Sequence, residues 1–275
     1  MEMTYTGERP VPGVMPDSIF GGVIARYVLV KQTIDGASDK KILDVGCGTG
    51  IGSGFLASCG FSVVGLDVDS ESIKWGKDKK LHPELLLQEG RGEALPFDNE
   101  TFDAVIAFEC IEHMDSPYAF MAEAKRVLKP GGILLCSVPY GIGDVLAELL
   151  HGSSNPYHIQ RFTPQTMRHL LTKYFVLQTE WGQQFHHIDH YTYAFVNHYV
   201  WRSIKRIPLL GKIFLNWRQK RNTRLAIEAA TVDIQNQMNY KMWSEDLVSV
   251  IWKPMPLDPS YIRIPETLIF LSKRK

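Results

Sequence analysis

An acid followed by alternating glycines is the stretch of this chain best suited to bind a ligand. The run KILDVGCGTG, residues 41–50, is a short apolar segment that contains Asp44 and ends in three glycines at alternate positions: Gly46, Gly48 and Gly50. An apolar run bounded by turn residues is typical of a buried parallel strand. Glycine allows backbone angles and close ligand approaches that a Cβ would block. Residues 51–58 then predict a helix whose first amides would face a ligand over the loop.

The details of this turn argue against a phosphate ligand. The dinucleotide fingerprint Gly-x-Gly-x-x-Gly fails, because Ile51 or Ser53 stands where its third glycine would be. A P-loop fails as well, since no Gly-Lys-Ser/Thr closes the turn. Asp44 would repel a pyrophosphate and attract a cation. S-adenosylmethionine (SAM) has no phosphate and carries a sulfonium and an ammonium, so the residues favour SAM over a dinucleotide.

From residue 41 to about residue 139, the sequence resembles the class I SAM-dependent methyltransferases. The first motif of that family is an acid followed by Gly-x-Gly-x-Gly, and the stretches EGRGEALPF (89–97) and RVLKPGG (126–132) are similar to two further family motifs. The resemblance implies a Rossmann-like, doubly wound α/β sheet, mostly parallel with an antiparallel last strand, and SAM as cofactor. The motifs are most similar to the quinone-biosynthesis and small-molecule group of the family.

Three charged residues are candidates for the polar ends of SAM. Residues 61–67 predict the second strand, and Asp67 at its carboxyl end would accept hydrogen bonds from both ribose hydroxyls. Asp69, by contrast, is expected only to cap the next helix. A guanidinium meets a carboxylate with two hydrogen bonds, so Arg9 or Arg26 would bind the methionine carboxylate of SAM. The alternative for each arginine is an exposed position on the arm or on a helix face.

The loop that resembles the family's third motif is expected to lie beside the adenine. In the family, an acid often accepts the adenine amino group here. This sequence has Arg91 instead, and an arginine cannot accept a hydrogen bond. Adenine recognition is therefore expected from backbone groups near Arg91 and Gly92, with Glu93 assisting. Phe108, which ends the predicted fourth strand, is also expected to line the cofactor site, because ligands of open α/β sheets gather at the carboxyl ends of strands.

Two histidines are candidates for the chemistry at the methyl acceptor. His113 follows the fourth strand and resembles part of a Glu-His pair in the family, and His158 matches by position a loop histidine of some small-molecule enzymes. We expect His158 to accept the proton of the acceptor, with His113, Tyr140 and Tyr157 as pocket residues. A structural histidine held by hydrogen bonds is the alternative for both histidines.

The last two strands are predicted at residues 175–184 and 266–272, as an antiparallel edge pair. The sequence between them is too long for a hairpin and is expected to be a helical insertion. His186 and His190, near its start, would lie one helical turn apart, but without a further ligand we expect polar lining of a lid and no metal site. The expected parts are an arm and helix (1–40), the SAM-binding core (41–185), an insertion forming a lid or acceptor-binding cap (186–264) and the last core strand (265–275).

Composition limits the partners of the chain. The 275 residues include thirty acids and thirty bases, so attraction to nucleic acid is not expected. The four cysteines form no Cys-x-x-Cys pair and the start shows no secretion signal, which favours a cytoplasmic location. The stretch 201–221 has bases, two tryptophans and no acid. It fits either peripheral membrane contact or a helical cap over the core, and Pro208 favours the cap.

These observations predict a SAM-dependent methyltransferase that acts on a small organic acceptor. O-methylation of a hydroxyl on a metabolite, lipid or glycan is the expected reaction. Such a protein must align the acceptor, exclude water and take up a proton. The alternatives are C- or N-methylation of a quinone-like or amine acceptor, an NAD-dependent oxidoreductase, and a SAM-binding protein without turnover.

Overall fold

Strands and helices alternate along most of the chain. The computed structural model describes residues 17–34, 36, 39–141, 145, 157–187, 255–256 and 263–275. The helices are α1 (Asp17–Thr33), α2 (Ile51–Ser58), α3 (Ser70–Lys79), α4 (Pro117–Val127) and α5 (Pro164–Thr172). The strands are β1 (Lys41–Val45), β2 (Ser62–Asp67), β3 (Leu85–Glu89), β4 (Phe102–Phe108), β5 (Leu128–Pro139), β6 (Phe175–His187), β7 (Met255–Pro256) and β8 (Arg263–Arg274). A short 3₁₀ helix, Ile111–His113, follows β4.

The strands form one sheet in the order β3-β2-β1-β4-β5-β8-β6-β7. The first five pair in parallel, and β8 is antiparallel to both β5 and β6. This confirms the predicted fold class. The antiparallel pair is not the very edge of the sheet, however, because β7 pairs with β6 at Trp181 and Gly182. That two-residue strand comes from within the predicted insertion and was not foreseen.

Apolar side chains cover both faces of the sheet, as the doubly wound fold requires. Successive residues of a strand point to opposite faces. On β1, Ile42 accordingly joins an apolar cluster that includes Tyr27 of α1 and Leu56 of α2. Leu43 joins the opposite cluster, which includes Phe120 of α4. The buried β1 thus holds the glycine turn at its carboxyl end between two packed layers.

Local sequence signals fixed several helix starts correctly. Asp69 caps α3 by accepting a hydrogen bond from the Ser72 amide at 2.7 Å, and Ser116 caps α4. Strand β5 begins before the turn-forming Lys-Pro-Gly-Gly segment, residues 129–132, because the chain is already paired at Leu128, opposite Phe102. A register irregularity between Phe102 and Ala104 accommodates this segment.

The helical spacing inferred for His186 was also wrong. Strand β6 continues to His187, with the backbone of His186 in register with Ile264 of β8. Extended backbone gives a two-residue repeat, so the four-residue helical spacing to His190 does not apply at this position. His190 itself lies outside the described residues, as do Arg9 and the basic stretch 201–221. Among the described residues, no helix combines the length and apolar character needed to cross a membrane.

Arg126 fastens the loop that follows β3 to helix α4. Its guanidinium donates to the carbonyl oxygens of Phe97 at 2.7 Å and Leu95 at 2.9 Å, and to both carboxylate oxygens of Glu123. The hydrogen bond from Arg126 lowers the pKa of Glu123 below its ordinary value. A lysine has no planar fork and cannot make these contacts together. We therefore expect Arg126→Lys to lower the free energy of unfolding by about 1–3 kcal/mol, measured by urea denaturation.

The adjacent exchange Lys125→Arg serves as the control for this prediction. Lys125 lies on the same helix and is half-buried. Substitutions away from buried networks usually change stability by about 0.5 kcal/mol or less. Equal midpoints for the wild type and Arg126→Lys would show that these hydrogen bonds add nothing to the stability of the loop.

Candidate cofactor and acceptor site

The glycine turn after β1 takes a backbone shape that other residues would not allow. Gly46 has φ of 73° and Gly50 has φ of 79°, both in the left-handed region. A Cβ on Gly46 would lie 2.5 Å from the Cβ of Cys110, and one on Gly50 would lie 2.7 Å from Leu87 Cδ2. The Gly46 amide also donates to the Leu66 carbonyl at 2.8 Å, which ties the turn to β2. The turn is therefore held close against β2, β3 and the chain leaving β4.

Asp44 lies buried directly beneath this turn. Its Oδ2 accepts hydrogen bonds from Ser53 Oγ at 2.6 Å and from the Tyr27 hydroxyl at 2.9 Å. Its Oδ1 is also buried and has no hydrogen-bond partner among the described residues. The pKa of Asp44 is raised to about 7, mainly by burial; the hydrogen bonds from Ser53 and Tyr27 oppose this shift, and the charge of Asp67 adds to it. A cation nearby would favour the ionised carboxylate.

Asp67 stands at the end of β2, beside the glycine turn. Its Oδ2 accepts a hydrogen bond from the Gly48 amide at 2.7 Å, and its Oδ1 accepts one from the Asp69 amide at 2.9 Å. The two bonds fix the orientation of the carboxylate. A carboxylate offers about four acceptor positions, so hydroxyl groups of a ligand can bind the same oxygens.

Arg26 is buried, so the alternative of an exposed arginine on a helix face was wrong. Only 5% of the residue is exposed, and its Nη1 donates to Gln183 Oε1 on β6 at 2.9 Å. Gln183 Nε2 in turn donates to the Gly22 carbonyl on α1 at 3.1 Å. The Arg26 guanidinium lies over the Phe108 ring, 5.9 Å from its centre. Nothing in the local sequence around Gln183 indicated this partner, because the contact joins elements far apart in the chain.

Phe108 is part of this buried layer. It is 6% exposed, and its ring meets that of Tyr27 edge-on at a centroid distance of 5.3 Å. The Tyr27 hydroxyl then reaches Asp44. The Phe108 ring therefore packs against both the Arg26 guanidinium and the Tyr27 ring.

The loop at residues 90–93 is anchored to the turn that follows β4. Arg91 Nη2 donates to Asp115 Oδ2 at 2.8 Å, and Glu93 Oε1 accepts from the Asp115 amide at 3.2 Å. A Cβ on Gly92 would lie 2.8 Å from Met114 Cε. The Arg91 side chain is therefore directed at Asp115, while the backbone of the loop packs on the 3₁₀ turn.

His113 and His158, separated by 45 positions, come together at the end of β4. Their rings lie 5.2 Å apart, centre to centre. His113 Nδ1 is 2.7 Å from the Tyr157 carbonyl oxygen, and its Nε2 is 3.8 Å from Glu112 Oε1. Glu112 is only 2% exposed, and its carbonyl accepts from the Gln160 amide at 3.0 Å. The sequence interpretation paired Glu112 with His113 but gave Glu112 no chemical role.

The two tyrosines expected in the pocket differ in position. Tyr140 is half-buried and forms a single parallel bridge with Phe162. Tyr157 is 58% exposed and contacts His113 through its carbonyl oxygen. The structure therefore joins His113, His158 and Glu112, and places the Tyr157 side chain at the surface.

Several known proteins similar to this chain are methyltransferases by name. Residues 43–136 match the family model described as a methyltransferase domain. A probable S-adenosylmethionine-dependent methyltransferase of Mycolicibacterium smegmatis is 29% identical over 62% of this chain and 63% of its own length. A ubiquinone biosynthesis O-methyltransferase of Dinoroseobacter shibae is 37% identical over 35% of this chain and 40% of its own. A demethylmenaquinone methyltransferase of Renibacterium salmoninarum is 33% identical over 52% and 54%, respectively.

Solved structures show the same fold. The YcgJ protein of Bacillus subtilis superposes with a TM-score of 0.54 at 16% identity, covering 91% of this chain and 97% of that one. A putative methyltransferase of Bacillus halodurans gives 0.55 at 16% identity, covering 90% and 98%. The chain matches about three fifths or less of the length of the curated relatives named above. Motif, fold and relatives together identify residues 43–136 as a methyltransferase domain of the class I SAM-dependent family.

Proposed function

We propose that this chain is an enzyme that transfers the methyl group of SAM to a hydroxyl oxygen of a small organic acceptor. The observation that carries the proposal is the buried Asp44 carboxylate beneath the alternating-glycine turn, since it favours a cationic nucleoside over a dinucleotide. The names of two relatives, a ubiquinone biosynthesis O-methyltransferase and a demethylmenaquinone methyltransferase, support a small-molecule acceptor. They also make C-methylation the main alternative.

The residues around the turn fit SAM. Gly46 and Gly50 let the backbone of the turn pack closely against Cys110 and Leu87, and the buried Asp44 Oδ1 lacks a donor among the described residues. We assign Asp67 to the ribose hydroxyls, and Arg26 to the methionine carboxylate. The adenine would be recognised by the backbone at Arg91 and Gly92, with Gly48 in the turn and Glu93 and Phe108 as supporting residues. Bound SAM supplies a methyl group activated by a positively charged sulfur.

We assign the acceptor to the adjacent cluster of Glu112, His113 and His158. The chain leaving β4 connects this cluster to the cofactor turn, because the Cys110 thiol donates to the Val45 carbonyl at 3.3 Å. A histidine titrates near neutral pH and can take up the proton that a hydroxyl loses on methylation. His158 is the proposed proton acceptor, His113 orients the acceptor, and Tyr140 borders the pocket.

Methyl transfer from SAM labelled with carbon-13 in its methyl group tests this function. The full chain is incubated with labelled SAM and a small-molecule extract, and the products are examined by NMR, since the methyl carbon shift separates O-, N- and C-methyl groups. We expect an O-methyl product that disappears when Asp67→Ala replaces the wild type. A C-methyl or N-methyl product would overturn the hydroxyl assignment, and label only in protein or RNA would overturn the small-molecule assignment.

Replacing Asp67 should weaken SAM binding more than it affects folding. Loss of two charge-assisted hydrogen bonds to the ribose is expected to raise the Kd for SAM about 10- to 100-fold in Asp67→Ala, measured by calorimetric titration. Asp69→Ala is the matched control. It removes a helix cap, at about 1 kcal/mol of stability, and should leave the Kd within about twofold. An equal loss of affinity in both variants would contradict the ribose assignment.

A further inference from the structure

We propose that Glu112, His113 and His158 form a binding site for a divalent transition-metal ion, and that this ion holds the oxygen atom of the methyl acceptor. The proposal of a metal site depends only on the geometry of the cluster. Its role toward an acceptor oxygen rests on the methyltransferase function proposed above.

The spacing of the donor atoms suits a single ion. One nitrogen from each histidine and one carboxylate oxygen of Glu112 all lie within 4.8 Å of one another. Ligands bound to the same ion at about 2.0–2.2 Å stand about 3–4 Å apart. A side-chain movement of about 1 Å would bring the donor atoms to this spacing. His158 can make such a movement, because it lies on a loop whose neighbours Tyr157 and Ile159 are both 58% exposed.

The hydrogen bond of His113 prepares its other nitrogen for a metal. A carbonyl oxygen only accepts, so His113 Nδ1 must carry the proton that is shared with the Tyr157 carbonyl at 2.7 Å. In a neutral imidazole the lone pair then lies on Nε2, the nitrogen 3.8 Å from Glu112 Oε1. Histidines that bind metals almost always donate their second N–H to a carbonyl or carboxylate in this way.

Glu112 provides the negative charge of the site. It is 2% exposed, and burying an ionised carboxylate is costly unless a positive charge compensates. A cation bound at the cluster would stabilise the ionised form of this carboxylate. The competing explanation is a protonated His113 that forms an ion pair with Glu112, and it predicts no metal affinity. Two imidazoles and one carboxylate favour Zn²⁺, Mn²⁺, Fe²⁺ or Co²⁺ over Mg²⁺ and Ca²⁺, which prefer all-oxygen ligand sets.

Three protein ligands leave coordination positions open for an acceptor oxygen. A metal ion lowers the pKa of a bound hydroxyl, so its proton can leave to solvent water at neutral pH. The oxygen–carbon bond then forms while the sulfur–carbon bond breaks, and the sulfonium becomes a neutral thioether. With the ion bound, His158 is a ligand and cannot accept the proton, so solvent water takes the role that is proposed above for His158 in the metal-free protein.

Metal titration of the full, metal-stripped chain tests the site. We expect one Co²⁺ or Zn²⁺ ion to bind per chain at the cluster. Binding is measured by calorimetry and, for Co²⁺, by its visible absorption. His158→Asn and His113→Asn should each weaken binding at least about tenfold. His169→Asn, an exposed histidine on α5, is the control and should bind as the wild type does.

A double variant separates this site from the histidines near the end of β6. If His186→Asn/His190→Asn loses the ion while His113→Asn and His158→Asn retain it, the proposed site is wrong. Absence of binding to the wild type at millimolar metal also overturns it. SAM is titrated into the same proteins, and His158→Asn should bind it within about twofold of the wild type. Metal failure with intact SAM binding would therefore overturn the metal site and leave the methyltransferase assignment standing.

Discussion

At about pH 8, Asp44→Asn is expected to weaken SAM binding about 10- to 100-fold while the free energy of unfolding stays equal or rises. The wild-type carboxylate is buried, and its pKa is raised to about 7, mainly by burial. Above that pH its charge is costly in the folded protein and favourable for a cationic ligand. An asparagine removes both effects, so affinity and stability should change in opposite directions.

The pH dependence of stability gives the same prediction a second readout. Because the folded pKa lies above the ordinary value of 3.8, this carboxyl contributes its full stability below about pH 4. That contribution is lost as the pH rises through about 7. The difference between wild type and Asp44→Asn should therefore change by about 4 kcal/mol at most across this range, measured by urea denaturation. SAM affinity of the wild type should fall as the pH drops below about 7, and that of Asp44→Asn should not.

Asp103→Asn is a control for which we expect the opposite pH dependence of stability. Burial alone would raise the pKa of Asp103, but hydrogen bonds from Lys129 at 2.8 Å and from the Lys41 amide at 3.0 Å lower it below its ordinary value. Its contribution to stability is therefore present above the unfolded pKa and is lost as the pH falls. At neutral pH, Asp103→Asn should lower stability and leave SAM affinity unchanged. If Asp44→Asn behaved in the same way, Asp44 would be a structural acid and not part of the cofactor site.

Gly76→Ala should strongly lower the stability of the folded protein. Alanine is the better helix former by about 1 kcal/mol, yet the new Cβ would collide with the Thr49 carbonyl oxygen and lie 2.5 Å from Leu87 Cδ1. Thr49 belongs to the glycine turn, which cannot move without distorting the cofactor site. We expect a loss of about 3 kcal/mol or more in urea denaturation and a loss of SAM binding.

Gly54→Ala is the matched exchange on the neighbouring helix. The nearest atom to its new Cβ would be Leu81 Cβ at 3.2 Å, on a half-buried side chain. Its effect should stay within about 1 kcal/mol, because the gain in helix propensity offsets a small shift of Leu81. Equal stability of Gly76→Ala and Gly54→Ala would show that α3 does not press on the turn.

Local patterns were sufficient for the parts of the fold that depend on neighbouring residues. The apolar run that contains Asp44 correctly predicted β1, and Asp69 correctly predicted the start of α3. These signals are local because strand burial, glycine turns and helix caps each use residues a few positions apart. The same local reasoning was wrong about the backbone at His186, which is extended because it pairs with β8.

The parts that sequence reasoning missed depend on contacts between distant segments. The burial of Arg26 requires Gln183 from β6, 157 positions away. The resemblance to the family led us to expect His113 and His158 in one pocket, but it gave Glu112 no place in their cluster, which joins the turn after β4 to a loop before α5. Tertiary contacts of this kind leave no periodic signal in a single sequence.

Calorimetric titration of the purified full chain at about pH 8, once with S-adenosylhomocysteine and SAM and once with NAD⁺, tests the assignment of the cofactor most directly. We expect one site per chain for S-adenosylhomocysteine and SAM, lost in Asp67→Ala, and no heat of binding with NAD⁺. Binding of NAD⁺ without binding of S-adenosylhomocysteine or SAM would contradict this assignment.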